Sequence, residues 1–124
     1  MANGQWRRMF RFEELEIWKL AISYADDIYN LIEKLPINER YNLIGQIKRA
    51  ALSISNNIAE GSGTSTTKNF KSFLDISIAS LLETVNLLHF ARRRDYISEN
   101  ERIDFYQKAE KLVKKIRAFK NSLK

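Results

Sequence analysis

Hydrophobic residues recur every three or four positions along four segments of the chain, which is the period of an amphipathic α-helix. The spacing predicts an N-terminal arm over 1–12 and a helical domain over 13–124, with helices over about 13–35, 39–60, 66–93 and 99–123. One proline and four glycines leave few residues that break helices. No segment alternates polar and apolar residues as a half-buried strand would.

The first and third predicted helices carry broader apolar faces than a single core contact needs. In the first, one face is shared by Trp18, Ala21, Ile22, Ala25, Ile28, Tyr29 and Ile32, and it is extended by Ile17, Tyr24 and Leu31. In the third, a face of Phe70, Leu74, Leu81, Val85 and Leu88 is widened by Phe73, Ile76, Leu87 and Ala91, and interrupted by Ser77 and Thr84. This excess predicts that part of both faces contacts another subunit.

The other two helices show one narrow stripe each. The core stripe of the second comprises Ile44, Ile47, Ala51, Ile54 and Ile58, and that of the fourth comprises Phe105, Ala109, Leu112, Ile116, Phe119 and Leu123. Asn38 is the expected N-cap of the second helix, and Gly61 is the expected left-handed residue after its end. For the third helix we expect a cap near Thr64 or Ser65. Ser98 and Glu101 form a capping-box pattern before the fourth.

Four amphipathic helices with short connections predict an all-α fold, an antiparallel up-down-up-down four-helix bundle. A chain of 124 residues suits one domain. Its start lacks the apolar segment of a secretory signal, and no apolar run approaches the ~20 residues of a membrane span. The absence of cysteine fits a reducing compartment. We therefore expect a cytoplasmic protein without a membrane partner.

The chain is basic, with a net charge of +6 and a pI near 9.7. Residues 64–124 hold 13 basic and 7 acidic side chains, whereas residues 1–63 hold 8 of each, so the second half carries the whole excess. Such a surface favours an acidic partner, with plain solubility as the alternative. The candidate nucleic-acid-binding residues are Arg7, Arg8, Arg11, Lys68, Lys71, Arg92, Arg93, Arg94, Lys108, Lys111, Lys114, Lys115, Arg117, Lys120 and Lys124. No motif for base-specific recognition accompanies these residues. We therefore expect them to bind nucleic acid through contacts with the phosphate backbone.

The segment RAALSISNNIAEGSG contains two asparagines, a glutamate and two glycines near the end of the second helix. These residues could form a catalytic or phosphate-binding site, or only the polar side and end of the helix. On a helical wheel, Gln46, Arg49, Ser53, Asn56, Asn57 and Glu60 form one stripe opposite the core of the second helix. Amides and a serine suit a half-buried contact between helices or subunits better than open solvent. Plain surface and a ligand or catalytic site, with Glu83 as a second carboxylate, are the alternatives.

Catalytic and metal motifs are not recognisable. The one histidine, His89, lacks the Glu-x-x-His context of a di-metal bundle. GSGTSTTK is not a phosphate-binding loop, because Lys68 comes five residues after Gly63 and a helix precedes the segment. Free N–H groups at the start of the third helix could still hold an anion. We expect no enzyme activity, no metal and no cofactor.

FEELEIWKLA, LPINERYNLIGQIKRAALSISNNIAEGSG, KNFKSFLDISIASLLET and RRDYIS resemble the four-helix-bundle proteins named for intervening sequences in large-subunit ribosomal RNA. That family in turn resembles the accessory variability-determinant proteins of diversity-generating retroelements. The resemblance covers about 12–120. Its most specific part is Gln46-x-x-Arg49-Ala50, Ser53 and Asn57-x-x-Glu60-Gly61. Two positions depart from the family pattern, where Ala79 replaces a glycine and Val85 replaces a glutamate.

The resemblance implies a bundle that assembles as a ring-like homopentamer. It also implies a basic accessory protein that binds nucleic acid, or a reverse transcriptase together with its RNA. The leading hypothesis is a non-catalytic oligomer that holds RNA or DNA by phosphate contacts. The alternatives are a protein-interaction scaffold for a partner such as a reverse transcriptase, and an enzyme or ligand-binding bundle that uses Asn57, Glu60 and Glu83.

Overall fold

The computed structural model describes residues 9–124, and within that range it contains helices and no strand. Its elements are a short 3-10 helix (Arg11–Glu14), α1 (Glu16–Ile32), a second 3-10 helix (Ile37–Glu39), α2 (Leu43–Ser62), α3 (Thr67–Arg93) and α4 (Glu99–Ser122). Residues 1–8 of the predicted arm lie outside the described range.

Each long helix packs against two others, α1 on α2 and α4, and α3 on α2 and α4. Contacts between α1 and α4 show the direction of the chain. Lys108 meets Asp27, and Lys115 meets Glu16, so numbers rise along one helix as they fall along the other. The protein is therefore a four-helix bundle, as the hydrophobic pattern predicts.

Side-chain hydrogen bonds to free backbone N–H groups mark the first residues of α3 and α4. The Ser98 hydroxyl accepts from the backbone N–H of Glu101 at 3.1 Å, and the N–H of Ser98 donates to the Glu101 carboxylate at 2.8 Å. This confirms the predicted capping box. α3 begins at Thr67, one residue later than predicted, because its N-cap is Thr66 and not Thr64 or Ser65. The Thr66 hydroxyl accepts a hydrogen bond from the N–H of Asn69.

Two predicted boundaries of α2 are wrong. Asn38 lies inside the second 3-10 helix, whose turn is closed by a bond from the N–H of Glu39 to the carbonyl of Pro36, so α2 begins only after Asn42. Gly61 is not a left-handed terminating residue, because α2 continues to Ser62 and ends at Gly63 with φ of −92°.

The first predicted helix is also shorter than expected. Residues Arg11–Glu14 form a 3-10 helix, and Leu15 is extended, so the α-helix proper starts at Glu16. At its other end α1 stops at Ile32, before the buried Leu35.

The broad apolar face of α1 is covered within the protomer, which corrects one argument for subunit contact. Ile17, Tyr24 and Leu31 are all buried, because α1 has α2 on one side and α4 on the other. The Tyr24 ring packs edge-on against Phe105 of α4 at 6.0 Å between centroids. Ile22, expected in the core, is instead exposed.

α3 keeps apolar surface that the protomer does not cover. Leu87 and Ala91 are buried, but Ile76, Leu82 and Phe90 are 48%, 56% and 49% exposed. By length and composition alone α3 could cross a membrane, with a mean hydropathy of 1.3 in its most apolar stretch, of which 39% is buried. Core helices of soluble proteins meet the same criterion, so this feature marks α3 as unusually apolar and no more.

Candidate nucleic-acid interface

The polar stripe of α2 divides into two parts. Ser53 contacts α3 inside the protomer, and Asn57 bonds back to Ser53. The Ser80 hydroxyl donates to Ser53 Oγ at 2.8 Å, and Asn57 Nδ2 donates to the carbonyl and hydroxyl oxygens of Ser53 at 2.8 and 2.9 Å. For Ser53, the contact expected between helices is found within one chain, whereas Asn57 bonds within α2.

Small residues let α2 and α3 approach closely. A Cβ atom on Gly61 would lie 2.7 Å from Cβ of Phe73 and 2.9 Å from a ring carbon of Phe70. The buried Ser77 hydroxyl donates to the carbonyl of Ile54 at 2.9 Å. The glycine and serines of this segment are therefore explained by helix packing.

The rest of the stripe faces outward. Arg49, Asn56 and Glu60 are exposed, and the side chain of Gln46 donates to Asn42 at 3.2 Å. These four remain predicted subunit-interface residues. Glu83, the second carboxylate of the ligand-site alternative, is also exposed.

Gln46 borders a groove of about 410 Å³ between the start of α2 and the end of α3. The groove also includes Asn86, His89, Phe90 and Arg93. Asn57, Glu60 and Glu83 do not line this groove. Residues 9–124 contain no group of three or more His, Asp or Glu side chains placed to hold a metal ion.

Three of the predicted nucleic-acid contacts on α4 are ion-paired with neighbouring helices. Lys108 contacts Asp27 at 3.3 Å and Asp104 at 3.1 Å, Lys115 contacts Glu16 at 3.5 Å, and Lys120 contacts Asp75 at 2.6 Å. Partial burial, the largest single effect, lowers the pKa of Lys108, but the carboxylates of Asp104 and Asp27 together raise it above its usual value. These lysines hold α4 against α1 and α3.

The other three predicted contacts on α4 form a separate surface, which we call the α4 cation ridge: Lys111, Lys114 and Arg117. All three are exposed, and none has an ion-pair partner within residues 9–124. They spread about 9 Å along the helix at the usual rise of 1.5 Å per residue. The ridge lies opposite the buried face of α4 that contains Leu112 and Ile116.

One end of the bundle gathers further predicted contacts. The Arg11 guanidinium lies over the Phe70 ring at 5.2 Å, and the Thr67 hydroxyl donates to the carbonyl of Lys124 at 2.8 Å. Lys68 is exposed and Lys71 half-buried. The predicted contacts Arg7 and Arg8 lie outside the described residues.

At the opposite end, ion pairs offset much of the predicted positive charge. Arg92 contacts Asp95 at 3.1 Å and Glu99 at 3.4 Å, which leaves Arg93 and Arg94 as the exposed members of the arginine triplet.

Two carboxylates in the first turn of α4, Glu99 and Glu101, accept hydrogen bonds at this end. A hydrogen bond from Arg102 holds the pKa of Glu99 below its usual value. Hydrogen bonds from the Lys34 ammonium and the Ser98 N–H do the same for Glu101.

A cavity between α1 and α4 was not foreseen from the sequence. It has a volume of about 200 Å³ and is lined by Leu20, Ser23, Tyr24, Asp27, Lys108, Lys111 and Leu112. The Tyr24 hydroxyl is buried and has no hydrogen-bond partner among residues 9–124. A buried unpaired hydroxyl costs roughly 1–3 kcal/mol. Periodicity places Tyr24 on an apolar face but gives no information on its hydroxyl.

The arrangement of α1–α4 defines the protein as a four-helix bundle, with three exposed cations grouped on the outer face of α4. The model of the 23S rRNA-intervening sequence protein family matches residues 13–118, so the chain belongs to that family. A crystal structure of a protein of unknown function from the S23 ribosomal protein family of Bacteroides thetaiotaomicron is similar in fold. It has a TM-score of 0.76 and 23% identity, over 86% of this chain and 99% of that one. Among curated proteins, none is similar enough to count as a match.

Proposed function

We propose that the protein is a non-catalytic, cytoplasmic homo-oligomer that binds the phosphate backbone of nucleic acid through the α4 cation ridge. The observation that carries this proposal is the contrast between two sets of cations on one helix. Lys108, Lys115 and Lys120 are neutralised by carboxylates of α1 and α3. The ridge residues have no such partners in the described part of the chain, so their charge is available to a ligand.

Physical chemistry favours phosphate as that ligand. Each cation that neutralises a phosphate releases condensed counterions, which drives binding and makes it dependent on salt. Three exposed cations spread over about 9 Å can contact more than one phosphate of a strand, whereas a single small anion can reach only part of the ridge. Base-specific reading is not part of the proposal, since phosphate contacts position a protein without selecting sequence.

Assembly would strengthen this weak surface. The exposed apolar residues of α3, Ile76, Leu82 and Phe90, favour contact with a further copy. The family resemblance implies a ring-like homopentamer, which would carry five ridges and five times the protomer charge of +6. Contacts that are weak on one subunit would then add up as avidity.

The test compares two variants that lose the same charge. Lys111→Gln, Lys114→Gln and Arg117→Gln together remove the ridge, whereas Lys19→Gln, Arg40→Gln and Lys48→Gln remove three exposed cations from α1, the connection between α1 and α2, and α2. Fluorescence anisotropy with a labelled single-stranded RNA at low salt should show at least about tenfold weaker binding for the first variant. Equal losses in the two variants would contradict the proposed location.

A protein partner is the second candidate, and one observation favours it. Ile37 and Tyr41 are 73% and 92% exposed on the connection between α1 and α2. Exposed aromatic residues of this kind are common anchors of protein interfaces.

The resemblance to accessory proteins of diversity-generating retroelements makes a reverse transcriptase bound to its RNA the partner to test. Capture that survives nuclease treatment and is lost with Tyr41→Ala would support the scaffold. Capture lost on nuclease treatment would support the nucleic-acid role.

A further inference from the structure

The cavity between α1 and α4 opens beside the α4 cation ridge, because Lys111 belongs to both. Its walls combine the apolar side chains of Leu20 and Leu112 with the polar groups of Ser23 and Lys108. At about 200 Å³ it is smaller than the ~300–1,000 Å³ clefts that enclose drug-sized ligands. It has room for one ring system, with an apolar slot and a charged mouth.

Tyr24 gives the cavity an unused hydrogen-bonding group. The residue is 96% buried and lines the cavity, and its hydroxyl has no partner in residues 9–124. Burial raises the pKa of Tyr24, so the hydroxyl keeps its proton and can both donate and accept. Native proteins rarely retain an unpaired buried group, and each such group calls for an explanation.

The charge at the mouth selects the kind of ligand. Asp27 is occupied by Lys108 at 3.3 Å, whereas Lys111 is exposed and unpaired in the described residues. An anionic group therefore fits at Lys111, with an apolar ring carrying polar edges behind it. A nucleotide unit has this layout, since each base presents both hydrogen-bonding edges and flat apolar faces.

We infer that this cavity receives one base of a single-stranded nucleic acid whose phosphates lie along Lys111, Lys114 and Arg117. The inference rests on the proposed function and adds a preference for single strands. In a duplex, a base must leave its stack and its pair before it can enter the cavity, and this costs free energy. A single strand has a smaller cost, because its bases are already unpaired.

Entry of the base requires a side chain to move. The Tyr24 hydroxyl is covered by surrounding atoms, so a ligand that bonds to it must displace part of the cavity wall. Lys108 and Lys111 are the exposed residues with long side chains in the lining. Rotation of Lys111 breaks no ion pair within residues 9–124, whereas rotation of Lys108 breaks its pair with Asp27.

The test uses Tyr24→Phe, which removes only the hydroxyl. Because that group is unpaired in the protomer, the variant should unfold at the same or a higher denaturant concentration than the wild type. Its affinity for a single-stranded RNA should nevertheless fall roughly three- to tenfold, the value of one neutral hydrogen bond. Tyr106→Phe, at an exposed tyrosine of α4, is the matched control and should bind as the wild type does.

A second variant tests entry itself. Ser23→Trp places a bulky side chain at the exposed rim of the cavity and should abolish the preference for single strands while binding to duplex remains. With 2-aminopurine in a single strand, wild-type protein should change the fluorescence of the probe, and the Ser23→Trp variant should not.

The outcomes separate this inference from the proposed function. No binding of either single strand or duplex by the wild type would overturn both. Salt-dependent binding with equal affinity for the two forms, and no effect of Tyr24→Phe, would overturn the base pocket and leave backbone binding standing. Weaker binding by Tyr24→Phe with unchanged or greater stability supports the pocket.

Discussion

A Cβ atom added to Gly61 of α2 would lie 2.7 Å from Cβ of Phe73 in α3, a distance that real Cβ atoms almost never show. The two helices are in contact at this point because one of them has no side chain there. Ser53 and Ser80 continue the close contact along the same pair of helices, with 2.8 Å between their hydroxyl oxygens. The α2–α3 pair therefore depends on small residues at defined positions.

Gly61→Ala should destabilise the protein, although alanine is the better helix former. Overpacking costs about 1–3 kcal/mol and the gain in helix propensity is about 1 kcal/mol, so we expect a net loss of up to about 2 kcal/mol. Gly45→Ala in the same helix is the control. There the added Cβ meets only the flexible end of Arg49 at 3.3 Å and the carbonyl of Arg40 at 3.5 Å. Denaturant unfolding should show it unchanged or more stable.

Ser77→Ala tests the buried hydrogen bond across the same contact. Loss of the bond from the Ser77 hydroxyl to the carbonyl of Ile54 should cost about 0.5–1.5 kcal/mol. Ser72→Ala, at an exposed position of α3, should have little effect on the unfolding midpoint. If both changes cost the same, the bond contributes nothing specific.

Glu101 should make stability depend on acid pH. Hydrogen bonds from Lys34 and the Ser98 N–H lower its pKa in the folded state, so the unfolded chain takes up the proton first as pH falls. The contribution is fully present above the ordinary glutamate pKa of about 4.3 and is lost as pH falls through the lower folded value. Unfolding midpoints measured between neutral pH and pH 3 should fall less steeply for Glu101→Gln than for the wild type. Parallel curves would contradict this role.

The apolar surface of α3 should determine the oligomeric state. Ile76→Glu together with Phe90→Glu places charge on two half-exposed positions and should yield a folded protomer by light scattering at micromolar concentration. Ile37→Glu, on the connection between α1 and α2, should keep the wild-type mass. An unchanged mass for the double variant would exclude this face of α3 as the contact.

The helices could be predicted from the sequence because their signals are local. Ser98 and Glu101 are three residues apart, and their capping box depends on no distant residue. The start of α2 was mispredicted because Asn38 and Asn42 are both acceptable before a helix. The choice depends on the 3-10 turn after Pro36, and on distant contacts such as that of Glu39 with the Tyr96 hydroxyl at 2.8 Å.

Helical wheels show the direction of a side chain but not how many neighbours a helix has. Ile17 and Tyr24 were therefore expected to face a second subunit, although α4 covers them in the same chain. Ion pairs between helices cannot be predicted from the sequence for a related reason. Lys108 and Asp27 are 81 positions apart, and only the register of α1 against α4 brings them together. The set of basic candidates could be predicted, but the division into paired and free cations could not.

The salt dependence of RNA binding tests the central claim most directly. The logarithm of the affinity for a single-stranded RNA should fall linearly with the logarithm of salt concentration, with a slope of about −0.7 per phosphate contacted. Replacing Lys111, Lys114 and Arg117 by glutamine should reduce that slope by about 2 units if each cation contacts one phosphate on each protomer that binds. Identical slopes for the two proteins, or no binding at low salt, would contradict the account.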